Sequence, residues 1–230
     1  MTERFGLYFA PAEGTALDRF GTSWLGRSAW TGDIVPQPAI ESFTETEIRE
    51  ITVSPRRYGF HATLKPPFAL TQEYELEELV AAISAFAASC PGFLIAPLQV
   101  KAIGRFIALV PGQHEAELHA LADACVERFD RFRAPPSVAE IAKRKRAALT
   151  PRQEEHLVRW GYPYVFDTYR FHMTLTDSLE EGLRDRTLSA LMPLAAPLCR
   201  EPLAVDGIVL FHEPSPGADF KILRRFPLKG

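Results

Sequence analysis

Cysteine is scarce in this chain: three in 230 residues, at positions 90, 125 and 199. An odd number, so widely spaced, makes neither a disulfide framework nor a cysteine-based metal site. Small buried thiols in a reducing compartment are the expectation. Long apolar runs are missing as well, since none approaches the roughly 20 residues that cross a bilayer. The opening Met1-Thr2-Glu3-Arg4 leads straight into a strand pattern and does not read as a secretory leader. Together these absences predict a cytoplasmic protein with no membrane contact. Neither sign of charge dominates: 26 Lys and Arg against 29 Asp and Glu leave a net charge of −3. That argues against a strongly electrostatic nucleic-acid binder, although a local basic groove stays open. With 47% hydrophobic and 24% charged residues, the chain has the make-up of a globular protein with one core or two lobes sharing a cleft.

What is present is one stretch written twice. Tyr58-Gly59-Phe60-His61-Ala62-Thr63-Leu64 returns as Tyr169-Arg170-Phe171-His172-Met173-Thr174-Leu175, with five of seven positions identical. Both copies read as β-strands, and the period of two sorts their side chains onto two faces. Gly59, His61, Thr63 and Lys65 share one face of the first copy. Arg170, His172, Thr174 and Thr176 share one face of the second. The tyrosines, phenylalanines and leucines fall on the opposite, core-directed faces. Two such strands at one cleft place two histidines and two threonines around a single anion.

The remainder reads as scaffolding. A first strand spans Arg4 to Ala10, with Tyr8 on the small-residue face beside Gly6, where it can reach a cleft. Thr15 with Asp18, Thr44 with Glu47, and Thr150 with Gln153 mark helix starts. Residues 28–43 read as an ordered loop. After the first histidine strand come a helix over about 72–89 and strands over about 93–102 and 105–110. After the second come a helix begun by Ser178 and Glu181 and strands over about 203–211 and 219–228. A further helix covers about 113–132. A helical insert over about 133–163 carries the basic run Lys143-Arg144-Lys145-Arg146, read as a solvated face. The repeated order predicts an α+β fold. It is one bilobal domain over residues 1–230, made of pseudo-symmetric duplicated β-α-β-β units. Antiparallel sheets line a central groove, helices lie outside, and the lobes are built around 58–64 and 169–175.

The paired elements His61-Ala62-Thr63-Leu64 and His172-Met173-Thr174-Leu175 resemble the signature of the two-histidine phosphoesterase superfamily, which includes RNA ligase-like cyclic phosphodiesterases. The longer strings, from Pro55 to Phe68 and from Tyr169 to Thr176, resemble its phosphonate-metabolism-associated branch. The resemblance implies hydrolysis of a small cyclic phosphodiester, with a phosphoribosyl cyclic phosphate as one candidate substrate and no cofactor. It also makes His61 and His172 the general acid and base, in an order left open.

The chemistry of the residues agrees with that implication. Breaking a phosphodiester without a metal requires a proton taken from the attacking oxygen and one given to the leaving oxygen. Histidine, with an ordinary pKa of about 6.5, serves either role near neutrality. Thr63 and Thr174 are placed to donate hydrogen bonds to the non-bridging oxygens. Lys65, Arg170, Tyr8 and Arg105 are the further groove candidates, the cations as partners for a phosphate. His114, His119 and His156 read as solvent-facing helical residues. No metal site is indicated, because each motif supplies one histidine and no Glu or Cys follows at ligand spacing. Two other functions fit the pattern less well: processing of RNA ends at 2′,3′-cyclic phosphates or 2′–5′ linkages, and a non-catalytic phosphate- or nucleotide-binding module. Oligomeric state is not legible.

Overall fold

Strand β1 (Arg4–Phe9) organises the architecture because both its faces are buried. Phe5, Leu7 and Phe9 enter the main core, whereas Tyr8, with Ala10 just beyond the strand, enters a smaller cluster with Ala29, Val209, Phe211 and Phe220. The computed structural model describes residues 3–145 and 148–230. The elements that follow are α1 (Ala16–Leu25), α2 (Glu45–Ile51), α3 (Val53–Tyr58), β2 (Ala62–Phe68), α4 (Leu76–Ala88), β3 (Phe93–Ile95), β4 (Leu98–Ile103) and β5 (Phe106–Pro111). Then come α5 (Ala116–Arg128), α6 (Val138–Arg144), α7 (Pro151–Trp160), β6 (Met173–Thr174), α8 (Glu181–Ala195), β7 (Leu203–Val205), β8 (Gly207–Glu213) and β9 (Lys221–Pro227).

The fold is α+β with antiparallel pairing throughout, as expected. Seven strands form one sheet in the order β4-β5-β6-β2-β1-β8-β9, and β3 pairs with β7 apart from it. The two histidine strands, β2 and β6, meet at its centre through the pair Ala62↔Met173. Those two residues occupy the same position in the two motifs, so the pseudo-twofold relation passes between them. The repeat also extends further than the expected β-α-β-β order. Strand, helix, histidine strand, helix, strand, strand describes β1-α1-β2-α4-β3-β4 and again β5-α5-β6-α8-β7-β8. Exchanging the two sets turns the sheet order, β9 aside, into its own reverse.

Several helix signals act as their chemistry requires. Thr15 accepts the Asp18 N–H to start α1, and Gly26, at φ 76°, ends it. Thr44 with Glu47, and Thr150 with Gln153, form full capping boxes. Ser178 and Glu181 do not, because α8 begins later than that pairing needs, with Glu180 at its cap. The first motif copy is also shorter as a strand than its spelling suggests. Tyr58 closes α3, and Gly59, at φ 78° and ψ 168°, turns the chain into β2. That backbone region is open essentially to glycine alone, and a Cβ there would lie 2.5 Å from the Ala29 Cβ. The second copy pairs over only two residues. The Ile107 carbonyl accepts both the Leu175 and Thr176 N–H groups, and the Thr176 hydroxyl accepts the Ile107 N–H in place of a backbone carbonyl. A side chain that takes over a ladder bond ends the ladder.

Candidate active site

The register at Ala62↔Met173 sets the geometry of the motif residues. Continued by one residue each way, it puts Thr63 opposite His172 and Thr174 opposite His61, all on one face. The two histidines thus occupy a diagonal of the ladder, where Cβ atoms are separated by roughly 7–8 Å or a little less. That gap accommodates a tetrahedral phosphoryl group.

Each imidazole is oriented in the same way. His61 Nδ1 lies 2.9 Å from the Gly59 carbonyl, and His172 Nδ1 lies 2.8 Å from the Arg170 carbonyl. A carbonyl only accepts, so each Nδ1 carries the proton and Nε2 keeps the lone pair for chemistry. The Thr63 hydroxyl stands 3.4 Å from His61 Nε2. Burial pulls the His61 imidazole down to about 4, against the Gly59 hydrogen bond, and the nearby His172 lowers it further. His172 is lowered too, by burial first, with the Arg170 carbonyl opposing and the Arg170 charge assisting. Both rings are therefore mainly neutral at pH 7 in the unliganded protein.

Thr63 and His172 line a cleft of about 680 Å³ together with Arg170, Phe106, Tyr162 and Tyr164. One wall is strand, the other the helical insert. The insert supplies Thr150 and Gln153 from the start of α7, then Tyr162, Tyr164, Asp167 and Thr168 beyond it. Asp167 is fixed by His156 Nε2 at 2.8 Å and by Arg152, which together hold its carboxyl below the usual range. The insert residues were not legible as site residues. The available signal was a run of tyrosines, at 162, 164 and 169, leading into the second motif.

Of the expected site residues, the cleft wall itself holds Thr63, Arg170 and His172; His61 sits beside Thr63 and near His172 at its edge, and Thr174 lies across from Ala108. Tyr8 is enclosed behind His61 with its ring stacked on the imidazole, 3.9 Å between centroids. Two candidates lie elsewhere. Lys65 does not face the cleft. Between Leu7↔Lys65 and Tyr8↔Thr63 the register slips by a residue at Leu64, and this bulge reverses the parity that put Lys65 beside His61. Its ammonium is buried instead against the Val126 carbonyl at 3.1 Å and Asp130 at 3.2 Å. Arg105 sits in the Gly104-Arg105 turn between β4 and β5, outside strand parity, and pairs on the surface with Glu180. His156, expected to face solvent, is only 4% exposed. Arg144 of the basic run lies 4.7 Å over the Tyr162 ring, while Arg146 falls outside the described residues. Among the described residues no group of three or more His, Cys, Asp or Glu is placed to hold a metal ion, and no helix is long and apolar enough to cross a membrane.

One family model covers most of the chain. The family described as "Protein of unknown function (DUF1045)" matches residues 63–221, well over half the chain. The chain belongs to that family. Its members' description carries no activity. Two curated relatives are named ribose 1,5-bisphosphate phosphokinase PhnN. The one from Janthinobacterium sp. (strain Marseille) is 38% identical over 99% of this chain, and the one from Laribacter hongkongensis (strain HLHK9) is 32% identical over 96%. The chain spans about half the length of these relatives, 51% of each. Solved structures with some likeness include E. coli LigT complexed with NADP+, at 14% identity and TM-score 0.46 with both chains fully covered. Another is TT0787 of Thermus thermophilus, at 14% identity and TM-score 0.45, covering 99% of this chain and 98% of that one.

Proposed function

We propose that the chain is a phosphodiesterase that opens a small cyclic phosphodiester by two-histidine acid–base catalysis, with no metal in the reaction. The observation that carries this reading is the matched pair of imidazoles. Each has Nδ1 tied to the carbonyl two residues before it, and each stands diagonal to the other with a threonine opposite. One Nε2 takes a proton from water as its oxygen bonds to phosphorus. The other gives a proton to the ring oxygen as the P–O bond breaks, leaving a phosphomonoester and a free hydroxyl. The threonine hydroxyls donate to the non-bridging oxygens, where charge shifts during the displacement.

A small substrate suits the site. A cleft of about 680 Å³ is in the range of small-ligand pockets. Its wall carries a carboxylate, Asp167, and the chain's net charge is −3, neither of which favours a long polyanion. The PhnN relatives are named for a ribose bisphosphate, which keeps a phosphoribosyl cyclic phosphate as the leading candidate. Their kinase name requires a different device. The sequence has one Gly-x4-Gly spacing, Gly21 to Gly26 followed by Arg27-Ser28. Gly21 lies inside α1 and Gly26 ends that helix. A phosphate loop must instead precede a helix N-terminus, where N–H groups and the dipole meet the anion. Arg27 itself is buried against the Arg56 and Phe220 carbonyls.

The test is a panel of cyclic phosphates, sugar and nucleotide, incubated with the protein in excess EDTA and followed by phosphorus NMR. Turnover of a small cyclic ester at an unchanged rate in EDTA is expected. Strict dependence on added metal overturns the mechanism. Salt-sensitive cleavage of RNA ends with no small-ester turnover moves the substrate to RNA.

A further inference from the structure

Resting on the proposed two-histidine reaction, we propose that Tyr8 assigns its roles: it is a positioning residue that keeps His61 as the proton acceptor and leaves His172 as the donor. The basis is a break in the internal symmetry. Tyr8 pairs with Thr63 and Phe9 with Ala62, as many places from the first histidine as Ala108↔Thr174 and Leu109↔Met173 are from the second. Where the first half has Gly6 and Tyr8, the second therefore has Phe106 and Ala108. The aromatic residue has changed rows, and so its relation to the histidine differs.

Tyr8 is 1% exposed and lies nearly flat on His61, with 21° between the rings. It is wedged from below by the bare backbone of Gly6, where a Cβ would come within 2.6 Å of the Tyr8 ring. Phe211 packs behind both rings, 4.9 Å from Tyr8 and 5.6 Å from His61. Tyr58 closes a further side at 6.3 Å. His172, by contrast, meets Phe106 obliquely at 5.6 Å and 50°, and both residues line the open cleft. Both rings are half-buried, but the far side of His61 is covered by aromatic carbon, while His172 lines the open cleft beside Arg170.

An enclosed imidazole resists protonation because charging it forfeits hydration. The face of a tyrosine attracts an imidazolium, but the half-buried His61 ring, with Tyr8 over one face and Phe211 behind, loses more hydration on charging than that contact returns. The lowered titration of His61, with burial as its first cause, agrees with that ordering. The titratable groups facing His61 are Tyr8 from β1, Tyr58 from the end of α3 and His172 from β6. Arg4 and Glu213 act on Tyr8 from behind, Tyr162 acts on it from the insert, and Arg170 bears on His172. In the reaction, neutral His61 Nε2 accepts the proton of the attacking water as the new P–O bond forms. The imidazolium of His172 releases its Nε2 proton to the departing ring oxygen. Exchange with solvent then resets both rings.

The signs give a bell-shaped kcat/KM profile. Activity falls below about pH 4, where His61 becomes protonated, and falls again as pH rises past the His172 value, which lies under 6.5. The decisive experiment needs no substrate: titration of the imidazole Cε1–H signals by NMR in the wild type, Tyr8→Phe, Tyr8→Leu and Tyr8→Ala. The wild type and Tyr8→Phe are expected to titrate His61 below His172. Tyr8→Leu raises His61 partly, and Tyr8→Ala raises it by one unit or more toward the ordinary value, with His172 unmoved. In kinetics the acid limb of Tyr8→Ala shifts upward by the same amount, a change that mere loss of stability does not produce. A wild type in which His61 titrates above His172 overturns the proposal, as does a His61 titration unchanged in both Tyr8→Leu and Tyr8→Ala. If the titrations follow expectation but no cyclic ester is hydrolysed, the phosphodiesterase reading fails and the influence of Tyr8 on His61 stands. If hydrolysis occurs and the titrations do not follow, the reverse holds.

Discussion

Replacing His61 or His172 with alanine is expected to lower turnover of a cyclic phosphodiester by about 10²–10⁴-fold each, the usual range for one acid–base group. The fold should survive either change. Both rings sit on the cleft face, and the strands are anchored from the other side by Phe60 and Leu64 in one copy and Phe171 and Leu175 in the other, all in the main core. Substrate binding should change far less than turnover, since Thr63, Thr174 and Arg170 remain. Circular dichroism separates lost chemistry from lost structure. Full activity in either folded variant would remove that histidine from the reaction.

The second large effect concerns the residue that left the site. Asp130→Ala should cost about 3 kcal/mol of stability, as expected when one partner of a buried ion pair is deleted. The Lys65 side chain is 2% exposed, and without Asp130 its ammonium keeps only the Val126 carbonyl and the Phe68 ring 5.5 Å away. Burial already pulls Lys65 down to about 8, with Asp130 as the main force holding it up. Lys65→Met should cost much less, because it removes the buried charge and leaves Asp130 with Arg133 at 2.7 Å. Urea unfolding of the two variants checks the order. Equal losses would contradict the account, and so would a Lys65→Met protein of full stability with no turnover, which would return Lys65 to the groove.

Lys65 also shows where a sequence stops being readable. Period-two parity holds only while the ladder is regular, and the slip at Leu64 depends on the partner strand β1, which lies far earlier in the chain. Arg105 fails for a neighbouring reason, since turn residues have no parity. The motifs themselves were legible because their information is local and doubled. Histidine, then threonine two residues on, shares a face as long as those three residues stay extended, and the second copy identifies the first as more than packing. Helix starts at Thr15, Thr44 and Thr150 were legible for the same reason, each being a contact across three residues. The full repeat was not. Its first strand, β1, matches β5 through hydrogen-bond register alone, because Gly6 and Tyr8 are spelled quite differently from Phe106 and Ala108. The insert wall was hidden too: Tyr162, Tyr164 and Asp167 reach the cleft through the packing of α7, which local pattern does not encode.

The central claim is that two histidines from neighbouring strands act on one phosphoryl group. A crystal structure with bound vanadate, which mimics a phosphoryl group in transfer, tests it most directly. The account predicts one vanadate on the ladder diagonal, within hydrogen-bond distance of both His61 Nε2 and His172 Nε2, with its remaining oxygens on Thr63 and Thr174. Vanadate held by one histidine alone, or bound away from both, would contradict it.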